Sequence, residues 1–357
     1  MNLLILEKGF LGKRRTYEVE KVFYPQTWKE FFSTLENLRG ETLFFYISFE
    51  SGYELLKVKA SKGNQFPPFL VASLKEKRLE FGREDFNLTF EGASLTKEKY
   101  LQKLEEIKGF IERGDIYQVN FTVRFDFKLK GSPLGLYLRF IENQEVPYGV
   151  FLKVEDLTVI SGSMELFLRK EGKKLISKPI KGTLSKDQDP QKFFEMEKEL
   201  AENLMITDMV RNDLGRVALS GSVKVEKLFG VESYKTLHQL VSTVSCETDK
   251  GFGEIVKATF PPASVTGAPK KRALEIINLL EPHTREVYCG TLGVLKPNGD
   301  FTCNVAIRTA IGKGEKLSYY AGGGIVWDSI PQREWEEVNL KAKAFISCLD
   351  HGTFPQR

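Results

Sequence analysis

The segment IYQVNFTVRFDFKL, Ile116 to Leu129, places Tyr117, Val119, Phe121, Val123, Phe125, Phe127 and Leu129 at every second position without a miss. Side chains of an extended chain point to alternate faces, so this period predicts a long β-strand. It also gathers Gln118, Asn120, Thr122 and Arg124 on the face opposite the apolar one. Just before it the period changes. Between Thr96 and Gly114, Leu101, Leu104, Ile107 and Ile111 keep helical spacing, and Gly114 is a suitable stop.

The first ninety or so residues read as short strands and turns (ETLFFYISFESGYELLKV), with KGNQFPPF as an exposed loop. After the long strand come VFLKV, LTVIS, LFLRK and KLISKPI, then a long helix from near Pro190 to about Leu214 and irregular strands over 217–225. The Pro-Gly-rich stretch TFPPASVTGAPKKRALEIINLL feeds a helix with Pro269 near its first position. Three strands (EVYCGTLGVL, DFTCNVAIRTAI, KLSYYAGGGIVW) lead to a last helix, capped by Asp328 or Ser329 with Pro331 in its first turn. Long antiparallel strands interleaved with helices predict an α+β fold, helices covering the outer faces of packed sheets. We divide it into a β-rich region, 1–95, intertwined with a catalytic domain, 96–350.

An apolar share of 41% over 357 residues is ample for a large core, and a net charge of +4 gives no case for nucleic acid. No apolar run reaches membrane-spanning length, and the N-terminal order of apolar then basic residues is the reverse of a secretory signal. Cys246, Cys289, Cys303 and Cys348 show no metal-ligand spacing, as expected of reduced cysteines in a cytoplasmic protein.

Several residues can carry chemistry. Glu199 and Glu202 lie three apart on the long helix; Glu334, Glu337 and Lys341 share a face of the last one. Each set alone reads as a solvated face; brought together, the carboxylates suit a hard divalent cation such as magnesium. Arg308, among apolar and small neighbours in a predicted strand, needs a carboxylate, either internal or from a ligand. Gly322, Gly323 and Gly324 permit close approach of a ligand to the backbone, or a bulge. The turn Thr266-Gly267-Ala268-Pro269 opens a helix and can offer N–H groups to an anion. Lys181, in SKPIKGT, reads by itself as an exposed turn lysine.

The segments GDIYQVN, PIKGT, KELAENLMITDMVRNDLG, LVSTV, TFPPASVTGAPKKRALEII, CNVAIRTA, AGGGIVWDS and EWEEVNLKAKA run in one order from about Thr96 onward. In that order they resemble the chorismate-utilising enzymes, which include anthranilate, aminodeoxychorismate, isochorismate and salicylate synthases. The resemblance implies two packed, mainly antiparallel sheets with helices outside and the site in a cleft. It implies that Glu202 and Glu337 bind Mg2+, with Glu199 and Glu334 beside them, and that the metal holds the ring carboxylate of chorismate. Arg308 and the backbone at Gly322, Gly323 and Gly324 match the clamp on the other carboxylate; Lys341 and Thr183 match further substrate contacts.

Water-using relatives carry a lysine where this chain has Gln118, so ammonia is the expected nucleophile. Anthranilate synthases usually read PIAGT where this chain has PIKGT, and the lysine marks the aminodeoxychorismate branch. There Lys181 attacks ring C2, Glu165 protonates the departing C4 hydroxyl, and ammonia displaces the lysine at C4. The resemblance thus implies a step toward p-aminobenzoate and folate. Ammonia would come from a separate glutamine amidotransferase subunit, because the chain shows no Cys-His-Glu glutaminase arrangement. Anthranilate synthesis, or binding of chorismate without turnover, are the alternatives. The family's SPE is SME here, so Met164 precedes Glu165. Gln239, with His238 before it, stands where anthranilate synthases commonly have histidine, and Val294 replaces a usual aromatic.

Overall fold

The computed structural model describes residues 2–142 and 146–349; the expected domain end at 350 lies just outside them. Strands in chain order are β1 (Leu3–Leu6), β2 (Arg15–Phe23), β3 (Leu43–Ile47), β4 (Phe69–Glu76), β5 (Phe86–Ala93) and β6 (Gln118–Gly131). Next come β7 (Tyr148–Val154), β8 (Leu157–Ser163), β9 (Leu166–Glu171), β10 (Lys174–Lys178), β11 (Ile180–Ser185) and β12 (Lys224–Ser233). The last are β13 (Leu237–Glu247), β14 (Gly267–Ala268), β15 (Thr291–Leu295), β16 (Phe301–Asn304), β17 (Thr309–Lys313) and β18 (Lys316–Ile325). Helices are α1 (Lys8–Leu11), α2 (Trp28–Asn37), α3 (Ser51–Leu55), α4 (Lys97–Glu112) and α5 (Pro133–Glu142). They continue with α6 (Glu197–Gly215), α7 (Phe252–Thr259), α8 (Lys270–Leu280) and α9 (Pro331–Ile346).

Every ladder is antiparallel, and the pairings trace two sheets. One runs β5–β6–β18–β17–β8–β7–β1–β2. The other runs β2–β4–β3–β15–β16–β9–β10–β13–β12, with β11 also on β13. Strand β2 belongs to both, so one hydrogen-bonded network turns from the first sheet into the second at the bulge between Val19 and Lys21. A single apolar cluster draws on both sheets. Within it Trp28, Phe31, Phe45, Phe69, Phe252 and Phe301 form a chain of ring contacts 4.9–6.2 Å apart. Such pairs contribute roughly 0.5–1.5 kcal/mol each beyond their buried area.

Two of the places where the chain passes between the sheets are short: from β8 to β9 through Met164 and Glu165, and from β16 to β17 through residues 305–308. The two crossings run side by side. Val305 N donates to Glu165 O at 3.0 Å and Gly162 N to Arg308 O at 2.9 Å. These contacts decide where the site forms.

Helix α4 follows the expected spacing, and Gly114 at φ 74° ends the segment; Thr96, not read as a cap, closes its start, Oγ1 accepting from Lys99 N. The polar face of β6 is buried at its start. Thr122 N and Oγ1 donate to Glu281, which is paired to the fully buried Arg285, and Arg285 Nη2 donates to Asn120 O at 2.6 Å. Arg124 pairs with Asp126.

Several expectations need correction. Residues 1–95 contain helices, α2 among them, capped by Thr27; the clustered aromatics Trp28, Phe31 and Phe32 obscure its helical period. The loop 62–69 is only partly exposed, because Gln65 N and Phe66 N donate to Glu286. The helix expected from Pro190 is a 3₁₀ turn, Pro190–Glu195, that breaks at Met196 before α6 begins. Residues 217–223 form turns, and the strand starts only at Lys224. Neither Asp328 nor Ser329 caps α9. Its N-cap is Ile330, while Ser329 Oγ accepts from Val326 N.

Candidate active site

A cleft of about 640 Å³ opens between β11, β13, β18, α6, α9 and the two crossings. Expected site residues Glu165, Lys181, Thr183, Glu199, Glu202, Arg308, Gly322, Gly324, Glu337 and Lys341 line it. Gln118, Gly323 and Glu334 stand behind its wall. Gln118 Nε2 donates to Glu202 Oε2 at 3.2 Å, and Glu334 is 2% exposed.

Lys181 is no turn residue. It lies on β11 where the pairing with β13 slips between Ile180 and Thr183, and Gly182 there has φ 92°. A bulge re-aims side chains, and here Lys181 Nζ reaches within 3.7 Å of Glu202 Oε2 with its side chain 15% exposed. Thr183 sits exposed at the rim, opposite Gln239 in register.

Glu165 is deeply buried in the first crossing, beside Ser264 and the charge of Lys181. Burial pushes its carboxyl up from 4.5 to about 7, although Ser264, Lys181 and the backbone at Ile180 pull the other way. Arg308 is not on a strand: it occupies the second crossing at φ 50°. A β-period there is misleading because CNVAIRTA spans two strands in different sheets. Burial pulls the Arg308 guanidinium below its usual range, opposed by Tyr319, and Nη1 approaches Met164 Sδ at 3.6 Å.

The glycines form neither bulge nor bend. They pair in regular register, Gly322 with Thr122, Gly323 with Phe121 and Gly324 with Asn120. At Gly323 and Gly324 the missing side chain makes room for carboxylates. A Cβ at Gly323 would lie 3.5 Å from Glu334 Oε2 and 3.7 Å from Glu337 Oε1, and one at Gly324 would lie 3.2 Å from Glu202 Oε2.

Glu199, Glu202 and Glu337 turn to the cleft, the Glu337 side chain still 43% exposed, and Glu334 is buried behind it. Glu199 and Glu202 extend toward the N-terminus the stripe that α6 buries through Asn203, Ile206, Thr207 and Val210. Glu334 shares the buried side of α9 with Val338, Ala342 and Phe345. Burial raises the Glu199 carboxyl, and the charges of Glu202 and Glu337 add to the effect. Lys341 Nζ, 2.6 Å from Glu337 Oε1 and 3.0 Å from Gly322 O, holds the Glu337 carboxyl below its usual range. Glu334 Oε2 is buried without a hydrogen-bond partner in the protein. Among the described residues no three acidic, histidine or cysteine side chains stand close enough together to hold a metal ion by themselves. This donor set fits a hard cation that keeps water and substrate oxygens among its ligands.

Sequence reasoning passed over Ser264, beside Glu165, and Lys198, which bridges to Glu334. The i, i+4 spacing of Lys198 and Glu202 was a usable signal. Gln239 also lines the cleft, donating to Met164 Sδ, whereas His238 turns away to Ser233 Oγ. The turn at Thr266–Pro269 offers no anion site: Gly267 and Ala268 pair with β6 instead.

The fold and cleft define a class of α+β protein whose site forms where two antiparallel sheets exchange strands. The family profile for chorismate binding enzymes matches residues 14–347, and the chain belongs to that family. Aminodeoxychorismate synthase component 1 of Escherichia coli is 38% identical over 278 residues, 75% of this chain and 61% of that protein. Anthranilate synthase component 1 of Aquifex aeolicus is also 38% identical, over 269 residues, 72% of this chain and 54% of that one. The chain thus spans little more than half to three-fifths of the length of these relatives. The crystal structure of anthranilate synthase component I from Streptococcus pneumoniae superposes with a TM-score of 0.76 at 24% identity, covering 97% of this chain and 90% of that one. The two-sheet fold is therefore the family's. Among the described residues no helix is long and apolar enough to cross a membrane.

Proposed function

We propose that this chain is the synthase component that replaces the C4 hydroxyl of chorismate by an amino group, giving 4-amino-4-deoxychorismate for p-aminobenzoate and folate. Two relatives of different activity share one level of identity, so overall similarity does not choose between them. The observation that carries the choice is Lys181, an amine inside the cleft beside Glu202 and near the buried Glu165.

In this reading the nitrogen lone pair of Lys181 attacks ring C2. The ring double bonds shift, the C4–O bond breaks, and Glu165 gives its proton to the oxygen as water leaves. Burial suits Glu165 to this role, since it keeps a substantial protonated fraction near pH 7. Ammonia then attacks C4, the double bonds return, the C2–N bond to Lys181 breaks with its electron pair left on nitrogen, and the new C4 ammonium returns a proton to Glu165. The balance is chorismate plus ammonia giving aminodeoxychorismate plus water. Arg308 and the Gly322–Gly324 backbone hold the enolpyruvyl carboxylate, with Lys341 and Thr183 as further contacts. Gln118 is neutral at all working pH and supplies no base for water.

Glu202 and Glu337, with Glu199 and Glu334 beside them, would hold Mg2+. The ion supplies positive charge and a fixed position for the ring carboxylate. Ammonia would come from a partner glutamine amidotransferase, in the cytoplasm. Incubation with chorismate, Mg2+ and ammonium, followed by mass identification of the product, tests the reading. Anthranilate, or binding without turnover, would overturn it.

A further inference from the structure

Lys198 lies on α6 between the glutamate pairs, with no part in the chemistry above. Its Nζ is 2.9 Å from Glu334 Oε1 and 3.9 Å from Glu202 Oε1, so one ammonium ties α6 to α9. We propose that Lys198 is an exchangeable counter-ion, neutralising these carboxylates while no divalent cation is bound and withdrawing when one binds. The proposal rests on the reading that Glu202 and Glu337, with Glu199 and Glu334 beside them, take a divalent cation.

The two partners differ in freedom. Glu334 is 2% exposed at its side chain and fixed within the buried stripe of α9, whereas the Lys198 side chain is 39% exposed on a flexible stem. The carboxylate cannot leave for water and the ammonium can, at small cost. A buried carboxylate without a counter-charge is strongly disfavoured, so the metal-free protein needs this lysine. Yet Lys198 satisfies only Oε1; Oε2 is buried without a protein partner, and like Glu337 Oε1 it faces the space left by the missing side chain of Gly323. A second cation arriving there meets the ammonium at short range and is repelled by it.

Lys181 and Lys341 cannot stand in. Lys341 is held by Glu337 and Gly322 O on its own side of the site, and Lys181 approaches Glu202 from β11. Metal affinity is then what the carboxylates offer less the cost of removing Lys198.

The test uses the full chain freed of metal, with Mn2+ as probe and binding followed by the electron paramagnetic resonance of free Mn2+. Lys198→Met, with Lys198→Gln as a second uncharged variant, should bind Mn2+ roughly 5–10-fold more tightly than wild type. Lys198→Arg should stay close to wild type. Without metal the uncharged variants should melt at lower temperature than wild type, and saturating Mn2+ should close the gap. Equal or weaker Mn2+ binding by the uncharged variants would overturn the proposal alone. No Mn2+ uptake by wild type and variants alike would overturn the cation reading, and the proposal with it.

Discussion

Lys181 Nζ and Glu202 Oε2 lie 3.7 Å apart, both side chains at most 15% exposed. The proposed nucleophile therefore has a proposed metal carboxylate as counter-charge. A cation that takes up Glu202 withdraws that counter-charge from the amine.

Lys181→Ala should remove the covalent route and leave at most slow direct attack by ammonia, a fall in turnover of at least about 10²-fold. Wild type quenched with chorismate and Mg2+ but no ammonia should yield a Lys181 peptide heavier by chorismate minus water. Turnover of aminodeoxychorismate by the Ala variant at the wild-type rate would end the nucleophile assignment.

Glu165 makes a pH-dependent prediction of definite sign. Burial raises its folded value from 4.5 to about 7, so the fold prefers the protonated form. Its destabilising effect is absent below pH 4.5, grows as pH rises to 7 and is complete above. That shift is worth about 3 kcal/mol. Glu165→Gln, which does not titrate, should match wild type in urea unfolding at pH 4.5 and exceed it at pH 8. Its turnover should be low throughout, while that of wild type should fall as pH passes 7 and Glu165 loses its proton.

Glu202→Ala and Glu337→Ala should abolish activity and the rise in melting temperature on adding Mg2+, yet keep the far-ultraviolet circular dichroism of wild type. Each removes a carboxylate from a site whose groups repel one another. Full wild-type turnover in excess chelator would contradict the assignment.

The glycines of β18 should separate stability from function. A Cβ at Gly322 would stand 2.5 Å from the Phe121 carbonyl oxygen, a backbone atom in the paired strand. Gly322→Ala should cost roughly 1–3 kcal/mol. At Gly324 the new methyl meets the end of the Gln118 side chain and Glu202 Oε2. Gly324→Ala should lower activity with little change in melting temperature, because a side-chain amide yields where backbone cannot.

Gln118 is 2% exposed, with Nε2 on Glu202 and Oε1 unpartnered. Gln118→Lys can pair with Glu202 without leaving a bare charge, and should form some isochorismate from chorismate. A folded, chorismate-binding variant that makes none would show that this position alone does not select the nucleophile.

The sequence by itself determined elements whose signal is local. The alternation of β6, the helical spacing and Gly114 stop of α4, and the chemical identity of the acids and cations depend only on near neighbours in the chain. The resemblance supplied the roles. Tertiary structure decided the rest, because burial and adjacency are long-range quantities. Arg308 and Glu165 line one cleft because two sheet crossings hydrogen-bond side by side. The clustered aromatics of α2 become legible as a helix only against β4 and the core it covers. Glu334 reads from spacing as one more surface acid, but α4 and β18 pack against α9 and seal it in. Lys198 becomes its partner because α6 lies across the same cleft. The raised carboxyl of Glu165 has the same origin: removal from water is set by everything folded around a residue, not by the residues beside it in sequence.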